Sequence, residues 1–126
     1  MPDPRENLLG VRLAPEWYNQ YPVRVHTPDD DIWRDVPTEE FTERYGVPAD
    51  IGVEIEDWDR EFQDGFRPDD PAESGFDDEE TASRWEARGI TVARRLAGAL
   101  VGIPVEVALL EGHLVVEPES PATGPR

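Results

Sequence analysis

The sequence predicts a small α/β (α+β) domain in which a sheet of about three strands is covered on one face by two longer helices, with one short helix beside them. Three observations carry that expectation. Two long stretches repeat apolar residues at helical spacing, a stretch near each end alternates apolar with polar residues, and the elements run in the order strand, helix, helix, helix, hairpin. A chain of 126 residues, 37% of them apolar and four of them tryptophan, has the size of one domain and can bury one core. The expected organisation is an extended N-terminal arm over 1–20, a globular domain over 21–118 and a disordered tail over 119–126.

Residues 1–20 contain Pro2, Pro4, Gly10 and Pro15 and show no periodicity, so they read as an arm whose "EWYNQY" end packs on the domain. "YPVRVH" (21–26) sets Tyr21, Val23 and Val25 against Pro22, Arg24 and His26, the pattern of a strand with one buried face. Pro22 favours a strand end or edge, and "TPDDD" breaks the run.

A short helix is expected from Thr38, read as its N-cap, to Tyr45, with Gly46 and Pro48 as its stop. A longer helix then starts at Asp50, again read as a cap. Its apolar residues Ile51, Ile55, Trp58, Phe62 and Phe66 form one narrow aromatic stripe. After a turn-rich loop, Asp77 and Asp78 offer caps to the strongest element, whose stripe is Ala82, Trp85, Gly89, Val92, Leu96 and Ala99. Glu79 and Glu80 sit where the helix dipole favours anions, and Gly102 and Pro104 supply the stop. Glycine at position 89 costs about 1 kcal/mol against alanine, which implies that another element crosses closely there. Trp58, Phe62, Trp85, Val92, Leu96, Val107 and Leu109 are the expected core.

"PVEVALLEGHLVVEP" reads as a hairpin. A two-residue turn at Glu111 and Gly112 would set Leu109 opposite Leu114 and Val107 opposite Val116. A parallel pairing between the first strand and a hairpin strand would require a right-handed crossover.

Charge is the dominant compositional signal. Twenty-nine acids face twelve bases, all arginine, for a net charge of −17. Residues 27–81 hold 21 of the acids and only four of the bases, so that segment carries the whole excess. Such a field repels nucleic-acid phosphates and anionic membranes, which argues against direct binding to either. The start "MPDPRENLLG" has no basic leader followed by an apolar run, no stretch is long and apolar enough to span a bilayer, and cysteine is absent, so a soluble, cytoplasmic protein is expected.

Most catalytic and metal chemistries lack their residues. "FRPDDPAESGFDDEET" (66–81) packs seven carboxylates around a single arginine, yet it makes no calcium loop. A register from Asp70 puts Ala72 at the third position and Thr81 at the twelfth, and one from Asp69 puts Pro71 at the third. Asp29, Asp30 and Asp31 beside His26 form an ordinary solvated cluster. Neither Cys nor Lys is present, Ser74, Ser83 and Ser120 lack a nucleophile context, and no glycine-rich phosphate loop occurs. No metal or cofactor is therefore expected. Arg84, Arg88 and Arg95 share a stripe with Thr91; Glu54 and Glu61 flank the preceding helix and would meet those arginines if the two helices pack side by side.

"YPVRV", "WDREFQDGFRPDDPAESGF" and "WEARGITVARRLAGALVG" together resemble a group of small acidic proteins from high-GC bacteria, over roughly residues 21–102. The resemblance implies a strand, an acidic helix with aromatic anchors, a Pro-Asp-Asp-Pro loop ending in Ser-Gly-Phe and a long amphipathic helix. It brings no catalytic residues. "HTPDDDIWRDVPTEEFTERYG" is longer than the corresponding part of that pattern.

Local structure accounts for four of the loop's carboxylates, as caps and dipole partners, with Phe76 as a hydrophobic staple. Asp69, Asp70 and Glu73 are left over, beside Glu54 and Asp57 of the preceding helix. The leading expectation is a small binding module whose acidic face neutralises a basic protein partner, as immunity proteins do for nuclease toxins, or a regulatory protein of the same kind. Two alternatives are a DNA mimic, whose carboxylates occupy a nucleic-acid-binding cleft, and a small enzyme using carboxylate chemistry.

Overall fold

Five short strands assemble into one sheet, and three amphipathic helices cover one of its faces. The computed structural model describes residues 4–16, 21–29, 31–65, 69, 75–110 and 112–116. The strands are β1 (Gly10–Leu13), β2 (Val23–His26), β3 (Arg34–Val36), β4 (Val105–Leu109) and β5 (Gly112–Val116), in the spatial order β3-β2-β1-β4-β5. The first three form an antiparallel meander, β4 and β5 an antiparallel hairpin, and β1 runs parallel to β4. Between β3 and β4 the chain supplies α1 (Thr38–Tyr45), α2 (Ala49–Gln63) and α3 (Glu79–Ala99).

The side-chain period of two sorts the sheet residues cleanly. Val11, Leu13, Val23, Val25, Val105 and Val107 are buried under the helices. On the other face the charged residues pair with one another. Arg12 pairs with Glu106 at 2.6 Å and lies 4.2 Å from the centre of the Trp33 ring, while Arg24 bridges Asp35 and Glu16. Arg12 and Arg24 are direct cross-strand neighbours, and the acids on either side of them offset a like-charge contact.

The mixed α and β architecture matches expectation, but the sheet has five strands rather than three. The segment read as an arm contributes β1, the central strand, so the folded unit begins before residue 21. β3 and α1 both come from the long insert at 27–46. Parallel pairing therefore falls to β1 and β4, while β2, the strand read first, is antiparallel to β1. The hairpin register also differs, since Val107 faces Leu114, Val105 faces Val116 and the strands close between Leu109 and Gly112. A shift of two residues keeps every side chain on its expected face, so the apolar pattern cannot distinguish the two registers. Phe66 and the tail 119–126 lie outside the described residues.

The helix starts obey backbone rather than side-chain logic at two of three places. Thr38 and Asp50 are not caps: α1 and α2 begin directly after Pro37 and Pro48, which are extended and make no side-chain cap bond. A proline sets the entering backbone direction and removes one amide that would need a partner. Gly46, at φ 67°, ends α1 by donating its N–H to the Thr42 carbonyl. At α3 the expected cap is present, with the Asp78 carboxylate accepting from the Thr81 N–H at 2.7 Å. That bond holds the Asp78 carboxyl below the usual range.

Two tryptophans lock α2 to α3. Trp58 and Trp85 stack with centroids 4.7 Å apart and planes 10° from parallel. Each indole N–H donates to the other residue's backbone carbonyl at 3.0 Å, so both buried donors are satisfied by the same contact. Gly89 makes this approach possible, because a Cβ there would stand 2.5 Å from the Trp58 ring. Val92, Leu96 and Val107 complete the buried centre as expected, whereas Phe62 and Leu109 are only half-buried at its border.

Candidate functional site

The acids of α2 divide into two sets according to the neighbouring helix. On the side facing α3, Arg95 contacts Glu54 and also donates to Asp50 at 2.9 Å, while Arg88 donates to Glu61 at 3.1 Å. The predicted pairing between the helices is therefore present, and Asp50, read as a cap, serves as an ion-pair partner. Its hydrogen bond from Arg95 holds the Asp50 carboxyl below the usual range. Among the five residues expected to carry the partner surface, Glu54 is thus already matched by a cation. Asp57 is held by Arg60, one turn along the same helix, at 2.9 Å. Asp69 is exposed, and Asp70 and Glu73 lie outside the described residues.

On the side facing α1 the balance is different. Gly52 lets the two helices approach, since a Cβ there would meet the Thr42 methyl at 2.9 Å. A groove of about 410 Å³ runs along this crossing, with Glu39, Glu56 and Asp57 on its walls and the exposed Val53 beside them. Glu39, Glu40 and Glu43 are exposed on α1 and form no ion pair among the described residues. Partial desolvation beside the groove and the like charge of Asp59 push the Glu56 carboxyl up. The Thr38 hydroxyl lies near it and moderates that rise, yet it is buried without a partner at hydrogen-bond distance.

Asp59 was not singled out by the sequence pattern. It is 7% exposed, its carboxylate accepts from Gln63 at 3.1 Å, and desolvation raises its proton affinity. Its place one step round the helix from Trp58, on the border of the apolar stripe, is the signal that marks it as a buried acid. Gln63 in turn donates to the Glu16 carbonyl at 2.8 Å, tying α2 to the end of the chain's first strand segment.

The described residues contain no group of three or more His, Cys, Asp and Glu side chains arranged to hold a metal ion, and no helix long and apolar enough to cross a membrane. The His26 ring lies 5.2 Å from the Trp33 ring, tilted by 36°, and His113 is exposed on β5, so the two histidines sit on separate strands. What the surface offers is a dense set of carboxylates, partly matched along α2 and α3 and unmatched along α1.

No curated protein matches the chain. A family model described as Serratia CdiI immunity protein-like matches residues 10–108, a span that runs from β1 into β4 and encloses the region 21–102. The matched span covers more than half of the chain and contains the central parallel pair and all three helices, and the chain belongs to the Serratia CdiI immunity protein-like family.

Proposed function

We propose that this protein is an immunity protein that binds a basic toxin and neutralises it through the acidic surface of residues 27–81. The observation that carries this reading is the family match over residues 10–108. The charge distribution supports the sign of the partner, because that segment alone accounts for the net charge of −17. In this reading Asp69, Asp70, Glu73 and Asp57 steer a cationic partner, with the unmatched acids of α1 adding to the field. Glu54 contributes less than the others because Arg95 already screens it. Charge at a rim acts mainly on the association rate.

The DNA-mimic alternative needs an unbroken row of free carboxylates. The row along α2 is partly neutralised by Arg88 and Arg95 of α3, which favours the immunity reading over the DNA mimic. Catalysis has no assembled acid–base or nucleophile arrangement to support it among the described residues.

Co-expression with a toxin domain that this chain binds should restore growth to cells that the toxin alone kills. Failure to restore growth, with both proteins present in soluble form, overturns the reading. Replacing Asp69, Asp70 and Glu73 together by their amides should slow association and flatten its salt dependence without changing the melting temperature. An unchanged rate at low salt would remove these residues from the rim.

A further inference from the structure

A cavity of about 620 Å³ opens where the start of α3 meets the ends of α2 and β4. Its base is aromatic. Phe62 and Phe76 each stand 5.3 Å from the Trp85 ring, tilted by 32° and 40°, and the reciprocal bonds with Trp58 hold Trp85 in place. Leu109 and the 44%-exposed Leu110 form the opposite wall, pinned to α3 because Glu86 accepts the Leu110 N–H at 2.8 Å. The mouth carries Asp77, Asp78 and Glu79, all exposed.

We infer that this cavity receives an arginine side chain of the protein partner, an inference that rests on the toxin-binding reading for the identity of that partner. The guanidinium is planar and weakly hydrated, so it can lie against the rings of Phe62 and Phe76 while its N–H groups reach the carboxylates at the mouth. The aliphatic stem then covers Leu109. An anionic group fits less well, because the rim repels it, and a purely apolar group makes no use of the carboxylates at the mouth. The N-terminus of α3 would by itself favour an anion, but Asp78 already occupies it as the cap and Glu79 adds a second negative charge. A rigid, pre-formed base lowers the ordering cost of binding, as expected for a residue that anchors an interface.

The test is a titration of the full chain with N-acetyl-arginine amide, followed by backbone amide shifts, with N-acetyl-citrulline amide as a neutral probe of the same shape. Saturating shifts confined to Phe76, Trp85, Leu109 and Leu110 are expected, with citrulline needing at least about fivefold higher concentration. Glu79→Gln, a surface change that leaves the cap and the rings intact, should raise the arginine midpoint about two- to fivefold. Absent shifts, equal response to the two probes, or a non-saturating response spread over Glu39, Glu40 and Glu43 would each overturn the inference. The outcome is separable from the toxin reading: arginine that saturates the cavity in a protein that rescues no growth removes the toxin and keeps the socket, whereas rescue without arginine binding removes the socket alone.

Discussion

The two edges of α2 carry similar acids in opposite circumstances. Toward α3, Asp50, Glu54 and Glu61 are matched by Arg95 and Arg88 above the locked Trp58–Trp85 pair. Toward α1, Glu56 and Asp59 meet no arginine of a facing helix, and desolvation raises the proton affinity of both. The difference shows that the protein's negative charge is not one uniform surface. Where a cationic helix packs alongside, the acids serve the fold; where an acidic helix packs alongside, they cost stability.

The strongest way to break this comparison is to remove the pair that fixes the α3 edge. Trp58→Ala should cost about 3–5 kcal/mol in chemical denaturation, because it empties a fully buried site and leaves the Trp85 indole N–H near a truncated neighbour. A loss below about 1 kcal/mol would mean that the stacked pair does not hold the helices. Gly89→Ala comes next. Its added methyl would overlap the Trp58 ring, which cannot move without losing its N–H bond to the Trp85 carbonyl, and the expected cost is about 1–3 kcal/mol. A stabilised variant, as helix propensity alone would give, would refute the close crossing.

Asp59→Asn sharpens the contrast on the other edge. The folded carboxyl holds its proton to higher pH than the unfolded one, so the native state binds more protons between the two values and stability falls as pH rises through that window. The amide should therefore melt at higher temperature than the parent at neutral pH, with the gap closing as pH drops below the ordinary aspartate range. A gap independent of pH would show that Asp59 is not penalised by burial. The smallest effect is expected at Glu54→Gln, where Arg95 keeps Asp50 as a partner. Stability should change by less than about 1 kcal/mol, read by the same denaturation curves. A larger loss would mean that the α3 edge is held by charge as well as by tryptophan.

The helical elements were the most legible part of the fold. The α3 stripe, the crowding at Gly89 and the arginine pairing all follow from helical spacing within α2 and α3, which fixes the faces that the two helices present. β1 and β3 were not legible. "GVRL" and "RDV" are too short to display an alternation of their own, and β1 is specified by pairing with a strand 94 residues away, as the Arg12–Glu106 contact shows. The caps at Thr38 and Asp50 were misplaced because residue type alone does not say whether a proline has already set the helix start. The candidate surface was legible as an acidic segment, but the division between matched and unmatched carboxylates was not, since it depends on which helix lies alongside.

The sequence by itself determined the net charge and its concentration in residues 27–81, the amphipathic helices, the glycine crossing and the cap of α3, because each follows from composition or from neighbours within a few residues. Only the tertiary structure decided that the presumed arm is the central strand, that Asp50 pairs with Arg95, that Asp59 is buried, and that Phe62, Phe76 and Trp85 converge under an acidic mouth. Each of those outcomes joins segments far apart in the chain. Their energies belong to contacts that no local pattern encodes, and they exist only once the loops between them have been closed.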